Sequence, residues 1–362
     1  MIPGHPTQLL QKLSREHRLA PLEWEALIGG YTPELAAQAA ELARDFREPF
    51  YGKKIFIRGL IEFTNYCRND CLYCGIRRSN RNAPRYRLNR EEILSCCETG
   101  WELGFRTFVL QGGEDPWFTD ERICELVRAI KKRWPECAVT LSIGEREEES
   151  YRKFREAGAD RYLLRHETAD ECHYRRLLPP ELSLSHRMDC LRTLKRLGFQ
   201  TGAGFMVGSP GQTVGTLAKD LVFLQEFQPD MVGIGPFLPH HDTPFAGEPA
   251  GSGELTLYLL SLIRILLPQV LLPATTALGT LLPNGREQGM LAGANVVMPN
   301  LSPEDVRDKY TLYDNKLHSG SEAAEGLRRL QESMAAIGDL GVCDRGDRAK
   351  PQPWRETFFL GV

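Results

Sequence analysis

The sequence predicts an α/β protein of the (β/α)8 TIM-barrel type. From about residue 55 onward, short apolar runs alternate with longer segments in which apolar residues recur every three or four positions. Eight such pairs can be counted, and eight strand–helix units are typical of a barrel and not of an open doubly wound sheet. Polar and glycine-rich residues follow most of the predicted strands, which is where such barrels place their active sites.

The predicted strands and helices alternate with no long linker between them. The strands are expected at 55–63, 106–111, 137–142, 161–165, 200–207, 230–236, 270–276 and 294–298. The helices are expected at 90–103, 119–133, 147–157, 184–197, 214–227, 254–267 and 284–291, with a further one near 303–311.

Two flanking segments complete the chain. Residues 1–50 show helical spacing, and Thr32 followed by Pro33 is a favourable helix start. A short C-terminal helix is expected at about 321–337. We therefore divide the chain into an N-terminal helical extension (1–50), a catalytic barrel (51–315), and a C-terminal helix and tail packed on the barrel (316–362).

Composition excludes several classes of protein. The 362 residues carry 45 basic and 48 acidic side chains, a formal charge of −3, which argues against a dedicated nucleic-acid or polybasic membrane protein. The most apolar region, 255–282, is interrupted by Arg264, Pro268 and Pro273 and falls short of the ~20 residues that a membrane span needs. No signal peptide is apparent, and seven scattered cysteines fit a reducing compartment, so we expect a cytoplasmic protein.

Three cysteines in eight residues carry the strongest chemical signal. Cys67, Cys71 and Cys74 are spaced CxxxCxxC, and their thiolates are ligands suited to iron–sulfur clusters. The next cysteine, Cys96, lies in a predicted helix, so one iron of a [4Fe–4S] cube would lack a protein ligand. An open iron favours catalysis over electron storage. A zinc site is the alternative, but zinc usually takes four ligands in paired knuckles, and no second knuckle is visible.

This motif, with Tyr73 before the last cysteine, resembles the signature of the radical S-adenosylmethionine (SAM) superfamily. The wider sequence closely resembles the HydE family of [FeFe]-hydrogenase maturases. The resemblance spans roughly residues 55 to 315 and is carried by RGLIEFTN from Arg58, LQGGEDP from Leu110, TLSIGE from Thr140, AGADRYLLRHET from Ala157, TGAG from Thr201, MVGIGPF from Met231, PATTA from Pro273 and GANVVMPN from Gly293.

The resemblance implies one [4Fe–4S] cluster on the three cysteines, and SAM as the second cofactor. The residues expected to bind SAM are Tyr73, Gly112, Gly113, Glu114, Ser142, Glu167 and Arg187. Their chemistry is suitable, since a glycine-rich backbone edge can hydrogen-bond an ammonium group and a guanidinium can fork onto a carboxylate. The simpler interpretation is a glycine turn for the first motif and solvated or ion-paired charges for the others.

A substrate cavity at the barrel mouth is expected from Arg165, His166, Met231, Thr275, Thr276 and Tyr310, with Tyr313 as a further candidate. Threonines and an arginine would suit a small anionic substrate. The alternatives are barrel packing for Met231, strand propensity for the threonines, a structural role for His166 and helix packing for the tyrosines. For Pro239-His-His-Asp-Thr-Pro244, a structured loop is favoured over a metal site.

The family implies reductive cleavage of SAM to a 5′-deoxyadenosyl radical that acts on an organometallic Fe(CO)2(CN)–cysteine precursor. It also implies a ferredoxin or flavodoxin as electron donor and the sister maturases HydG and HydF as supplier and acceptor. Some relatives carry a second cluster on C-terminal cysteines, but residues 316–330 contain none, so a single cluster is expected. Two alternatives stay open: another biotin-synthase-like radical enzyme, such as a methylornithine synthase or a sulfur-inserting enzyme, and a non-catalytic metal-binding scaffold.

Overall fold

The computed structural model describes residues 4–317 and 323–350. Three helices precede the first strand, and Thr32 caps the third of them by accepting a hydrogen bond from the Leu35 N–H at 3.2 Å, as the sequence predicts. These helices are α1 (Pro6–Glu16), α2 (Pro21–Gly29) and α3 (Pro33–Tyr51). Their apolar faces, with the fully buried Trp24 at their centre, join the main hydrophobic core.

The strands are parallel wherever they pair. A six-stranded sheet has the order β2-β3-β4-β5-β6-β8, β1 pairs with β10 and β11, and β7 pairs with β9. Their bounds are β1 Lys54–Ile57, β2 Gly59–Thr64, β3 Thr107–Gly112, β4 Ala138–Ser142, β5 Arg161–Leu163, β6 Gln200–Ala203, β7 Met206–Val207, β8 Met231–Val232, β9 Gly235–Pro236, β10 Val296–Val297 and β11 Leu340–Val342.

A series of parallel pairings connects the later strands of the sheet back to the first strand. Met231 bridges to Leu271, Pro273 bridges to Val296, and Phe56 pairs with Val296. Because β1 and β2 follow one another along one chain segment, this sequence of pairings links β8 back to β2. All the strands then deliver their carboxyl ends to one rim, the arrangement of a (β/α)8 barrel. The predicted α/β class is confirmed.

The helices between strands lie close to their predicted positions. Their bounds are α4 Arg90–Glu102, α5 Asp120–Arg133, α6 Glu148–Ala157, α7 Glu171–Leu177, α8 Leu184–Arg196, α9 Val214–Phe227, α10 Gly253–Leu266, α11 Thr276–Leu281, α12 Gly285–Leu291, α13 Glu304–Arg307 and α14 Ala323–Ala336. The short helices α7 and α11 are additions that the sequence interpretation did not include. No described helix is long and apolar enough to cross a membrane.

Several predicted strands are shorter than expected, and the fourth and eighth are reduced to Arg161–Leu163 and Val296–Val297. The seventh is reduced to bridges at Leu271 and Pro273, since proline has no N–H to extend the ladder, and Thr275 is the N-cap of α11 instead of a strand residue. The first, fifth and sixth predicted strands each divide into two pieces. In the fifth, the Gly204 carbonyl accepts a hydrogen bond from the Glu167 N–H at 3.0 Å, which redirects the chain between β6 and β7.

The C-terminal segment joins the barrel more closely than a packed helix would. The predicted helix 321–337 begins outside the described residues, and α14 is followed by β11, which pairs with β1. A buried ion pair between Arg47 and Asp339 (2.6 Å) fixes this strand to α3. This pairing was not predicted, because a three-residue strand beside glycine gives almost no periodic signal.

Candidate active site

The cysteine loop lies directly after β2, at the carboxyl rim of the barrel. Cys67, Cys71 and Cys74 are all free thiols and all half-buried. Among the described residues, three potential metal ligands with atoms within 4.8 Å of one another occur elsewhere but not here, so at least two of the three sulfurs are more than 4.8 Å apart. Thiolates on a single zinc ion would be about 3.8 Å apart, given Zn–S bonds of about 2.3 Å. The spacing therefore favours a larger inorganic centre over zinc.

Burial sets the protonation of these thiols. It raises the pKa of Cys67 and Cys71 and raises the pKa of Cys74 to about 12, and the neighbouring thiols add to the effect at Cys71 and Cys74. Without a metal centre the three groups are neutral near pH 7. A group that binds all three must therefore displace protons and supply compensating positive charge.

The glycine-rich turn after β3 packs against the cysteine loop. A Cβ atom at Gly113 would lie 2.2 Å from the Tyr66 carbonyl oxygen and 2.8 Å from the Cys67 Cβ, so only glycine fits. The Arg68 N–H donates to the Glu114 carbonyl at 2.9 Å. The turn thus positions the first cysteine, and Gly112 beside it continues β3 in register with Thr64.

Glu114 is a buried carboxylate that joins three loops. It accepts hydrogen bonds from the Arg68 side chain at 3.0 Å and from the Glu145 N–H at 2.9 Å. Gly144, in the left-handed region at φ 77°, makes room for it, because a Cβ there would lie 2.0 Å from the Glu114 Cγ. Glu114 therefore organises the rim, and its two strongest contacts are within the protein.

The backbone of Glu167 has an unusual conformation. Its φ of 67° places a non-glycine residue in the left-handed region, a conformation that costs free energy and is concentrated at functional sites. Its carboxylate lies 3.2 Å from Arg165, and burial together with the nearby Glu167 charge raises the pKa of Tyr73. The predicted residues Tyr73, Arg165 and Glu167 are therefore neighbours at the rim.

Arg187 is fixed by a residue that the sequence interpretation missed. The guanidinium forms an ion pair with Glu145 at 2.5 Å, and both side chains are more than 90% buried. Burial alone would lower the pKa of Arg187, but the Glu145 carboxylate holds it well above its usual value. Arg187 also donates to the Arg165 carbonyl at 3.2 Å. Glu145 ends the TLSIGE segment, so its place in a family motif was the available signal.

Two buried polar atoms at this rim, Arg165 Nε and Thr275 Oγ1, have no hydrogen-bond partner among the described residues. Arg165 Nη2 and Glu167 Oε2 are paired with each other at 3.2 Å, and Arg187 Nε is paired with Glu145 at 2.5 Å. Buried polar groups in folded proteins are normally satisfied, so the two unpartnered atoms indicate a place where a polar ligand completes the bonding. Ser142 lies at the end of β4 in register with Gln111, on the same rim.

The residues predicted for the substrate cavity fall into two groups. Tyr310 is buried, and burial, together with the nearby Glu62, Tyr86 and Cys74, raises its pKa. Burial raises the pKa of Tyr313 to about 12. The Thr275 hydroxyl points toward Gly235, and Thr276 lines a small cavity with Glu62 and Lys316.

His166 and Met231 are engaged within the protein. His166 is fully buried; its Nδ1 accepts from the Gly204 N–H at 3.2 Å and its Nε2 lies 3.2 Å from Asp220. Both ring nitrogens are therefore occupied, which matches the structural alternative. Met231 is buried, and its sulfur lies 3.5 Å from the Arg58 guanidinium.

A buried ion pair beneath Tyr310 was not predicted. Lys316 lies 2.6 Å from Glu62 and donates to the Tyr310 carbonyl at 2.9 Å, and Asn300 donates to the same carboxylate at 2.7 Å. The pair connects the segment after β10 to the end of β2. It is formed by residues 254 positions apart, which periodicity alone cannot reveal.

The loop 239–244 is held by hydrogen bonds within the loop and to Asp314. His241 Nδ1 lies 2.7 Å from Asp314, and His240 Nδ1 accepts from the Asp242 N–H at 3.1 Å. With Nδ1 used as an acceptor, neutral His240 carries its proton on Nε2, which leaves no lone pair facing Asp314. This arrangement agrees with the structured loop that the sequence favours.

Comparison with known proteins identifies the family. Residues 61–224 match the radical SAM superfamily. The chain is 49% identical over 313 residues to the [FeFe] hydrogenase maturase subunit HydE of Thermotoga maritima, covering 86% of this chain and 88% of that protein. The chain belongs to the HydE family of radical SAM enzymes. The prediction of a radical SAM enzyme is thereby confirmed, as is its role as an [FeFe]-hydrogenase maturase.

Two solved structures give the fold context of this HydE-family chain. Methylornithine synthase (PylB) superimposes with a TM-score of 0.81 at 27% identity, covering 92% of this chain and 97% of that chain. The maturase HydG from Carboxydothermus hydrogenoformans gives a TM-score of 0.77 at 23% identity, covering 93% and 79%. The second likeness concerns the fold alone.

The radical SAM family implies a [4Fe–4S] cluster and SAM, and the residues present fit both. Three free thiols on one loop provide the cluster ligands. The Glu167 carboxylate and the Arg165 and Arg187 guanidinium groups lie on the same rim, so both signs of charge are present for a zwitterionic ligand such as SAM.

Proposed function

We propose that this chain acts on an organometallic Fe(CO)2(CN)–cysteine precursor of the hydrogenase diiron centre. The observation that carries the proposal is 49% identity to HydE over most of both chains, against 27% to methylornithine synthase. The sister maturase HydG would supply the precursor and HydF would receive the product. When bound, the cluster supplies the electron that cleaves SAM to methionine and a 5′-deoxyadenosyl radical.

The chain's own residues would bind and orient the two small molecules. Three irons of the cluster would be bound by the thiolates of Cys67, Cys71 and Cys74, which would leave the fourth iron for SAM. Glu167 offers an acceptor to the ribose hydroxyls, and Arg187, fixed by Glu145, offers a guanidinium to the SAM carboxylate.

The remaining rim residues have supporting roles in this proposal. Tyr73, Gly112, Gly113, Glu114 and Ser142 shape the SAM site around the cysteine loop. Arg165 and Thr275 turn unsatisfied polar atoms to an anionic substrate, and buried Tyr310 closes the mouth against water.

A reconstituted maturation assay tests the proposal directly. Apo-hydrogenase is incubated with all the other maturation factors, with or without this protein, and hydrogen evolution is measured. We expect activity only when the protein is present, and loss of that activity in a Cys71→Ala variant. Equal hydrogen evolution with and without the protein would contradict the assignment. Formation of methylornithine would instead support the methylornithine synthase alternative.

Glu167→Ala is expected to weaken SAM binding without removing the cluster. Loss of one hydrogen-bonded carboxylate corresponds to a rise in Kd of about tenfold or more. SAM affinity is measured by equilibrium binding, and the cluster by its visible absorbance. Glu171→Ala, which removes an exposed carboxylate four residues away, is the matched control. An unchanged Kd for Glu167→Ala would place Glu167 outside the SAM site.

Iron content tests the single-cluster prediction. Anaerobic reconstitution should yield about four iron atoms per chain, the content of one [4Fe–4S] cube. The cysteines outside the loop are Cys96, Cys97, Cys124, Cys137, Cys172, Cys190 and Cys343. They lie on separate elements, apart from the adjacent pair in α4. About eight iron atoms per chain would show that a second cluster binds.

A further inference from the structure

The segment that contains the cysteine loop is unusually basic. Between Asn65 and Leu88 the sequence has six arginines and a single acidic residue, Asp70, for a net charge of +5, whereas the whole chain carries −3. The positive charge is therefore concentrated in the one segment that also contains the cluster ligands. Three carboxylates from outside the segment lie against it: Glu114 pairs with Arg68, Asp115 pairs with Arg87, and Asp242 accepts a hydrogen bond from Asn82, so the local excess is about +2. A positive excess at this surface attracts acidic macromolecules.

The part of this segment that follows Cys74 is held against the cysteine loop by hydrogen bonds. The Arg77 guanidinium donates to Asp70 at 2.8 Å, and the Arg78 N–H donates to the Asn69 carbonyl at 2.9 Å. The Arg85 guanidinium is half-buried and donates to the backbone carbonyls of Asn65, Ile76, Arg77 and Asn80. The exposed arginines consequently have a fixed position beside Cys67, Cys71 and Cys74.

The positive charges of two of these arginines are not neutralised by a carboxylate of any described residue at hydrogen-bond distance. Arg78 is 62% exposed, and its nearest carboxylate oxygen, on Asp70, is 3.9 Å away. Asp70 is already engaged by Arg77 and by the Ser79 hydroxyl. Arg81 is exposed and forms no ion pair with any residue in 4–317 or 323–350. Neither side chain contributes to the SAM or substrate residues described above.

We propose that Arg78 and Arg81 form the docking surface for a small, acidic, one-electron carrier protein. The proposal rests on the proposed function, because that reaction consumes one electron per SAM cleaved. The carrier is oxidised by one electron and the cluster is reduced by one, and docking itself makes or breaks no covalent bond. Complementary charge beside the cysteine loop speeds the encounter and orients the carrier close to its electron acceptor.

The test uses the reconstituted holoenzyme and the double variant Arg78→Glu/Arg81→Glu. A reduced acidic [4Fe–4S] ferredoxin is the probe carrier, and dithionite is the small-molecule reductant that needs no docking surface. Carrier affinity is measured by calorimetry, and 5′-deoxyadenosine formation is measured with each reductant. Arg328→Glu/Arg329→Glu is the matched control, since it makes the same charge change at two side chains of α14 that are 63% and 65% exposed.

We expect the docking variant to bind the ferredoxin about tenfold or more weakly at low salt, with the difference shrinking as ionic strength rises. Ferredoxin-driven turnover should fall in parallel, while dithionite-driven turnover stays at the wild-type value and the control variant is unchanged. Wild-type affinity and turnover with ferredoxin would overturn the proposal. Loss with both reductants would overturn it too, because the arginines would then serve the cluster or the fold. Absence of 5′-deoxyadenosine from the wild-type protein with dithionite would refute the proposed function instead.

Discussion

Replacing Cys71 with alanine is expected to abolish both the iron–sulfur absorbance and all 5′-deoxyadenosine formation. Cys71 lies between the other two ligands, and its thiol is the one whose pKa is raised by both of them in addition to burial. With two thiolates left, the cube loses one of its three protein ligands, and the loop contains no further cysteine to replace it. The activity should therefore fall to the background without enzyme.

The same result is expected for Cys67→Ala and Cys74→Ala. Cys172→Ala serves as the control, since Cys172 is an exposed thiol on α7. Visible absorbance after anaerobic reconstitution reports the cluster, and chromatography reports 5′-deoxyadenosine. Full 5′-deoxyadenosine formation in any one of the three loop variants would remove that cysteine from the ligand set.

Arg187→Met is expected to cause a large loss of both stability and SAM affinity. It leaves the buried Glu145 carboxylate without its cation, and breaking a buried pair in this way costs about 3–5 kcal/mol. His186 Nε2 is 3.7 Å from the same carboxylate, too far to replace the lost hydrogen bond. The free energy of unfolding by urea, measured on the apo protein, tests the stability effect.

A second variant separates the two effects. In Glu145→Gln/Arg187→Met the uncompensated charge is removed, so most of the lost stability should return. SAM affinity should not return, because the guanidinium itself is proposed to hold the SAM carboxylate. If the double variant bound SAM as tightly as the wild type, Arg187 would have no role in SAM binding.

The cysteine loop and the order of strands and helices were predictable because both depend on short-range patterns. CxxxCxxC is complete within eight residues, and the helices α4, α5, α8 and α9 lie within one or two residues of their predicted bounds. The predicted strand 270–276 was wrong in its second half. Thr275 and Thr276 have strand propensity, yet the chain turns there to begin α11.

The long-range contacts that assemble the rim could not be predicted from patterns. The Arg187–Glu145 pair joins two loops, and the Glu62–Lys316 pair joins residues at opposite ends of the barrel sequence. A charge in a sequence gives no indication of its partner. The positive φ of Glu167 was likewise invisible, because it arises from the bridge to Phe205 and not from the residue type.

By itself, the sequence determined the chemistry of this protein: three thiolates at cluster spacing, a barrel that delivers strand ends to one rim, and the motifs of the HydE family. The tertiary structure alone decided how these groups are held. It fixed Arg187 against Glu145, paired Glu167 with Arg165, left the buried Thr275 hydroxyl without a partner among the described residues, and placed the arginine-rich segment beside the cysteines. The physical reason is that ligand identity is local, whereas burial, charge pairing and strain depend on residues that meet only when the barrel closes.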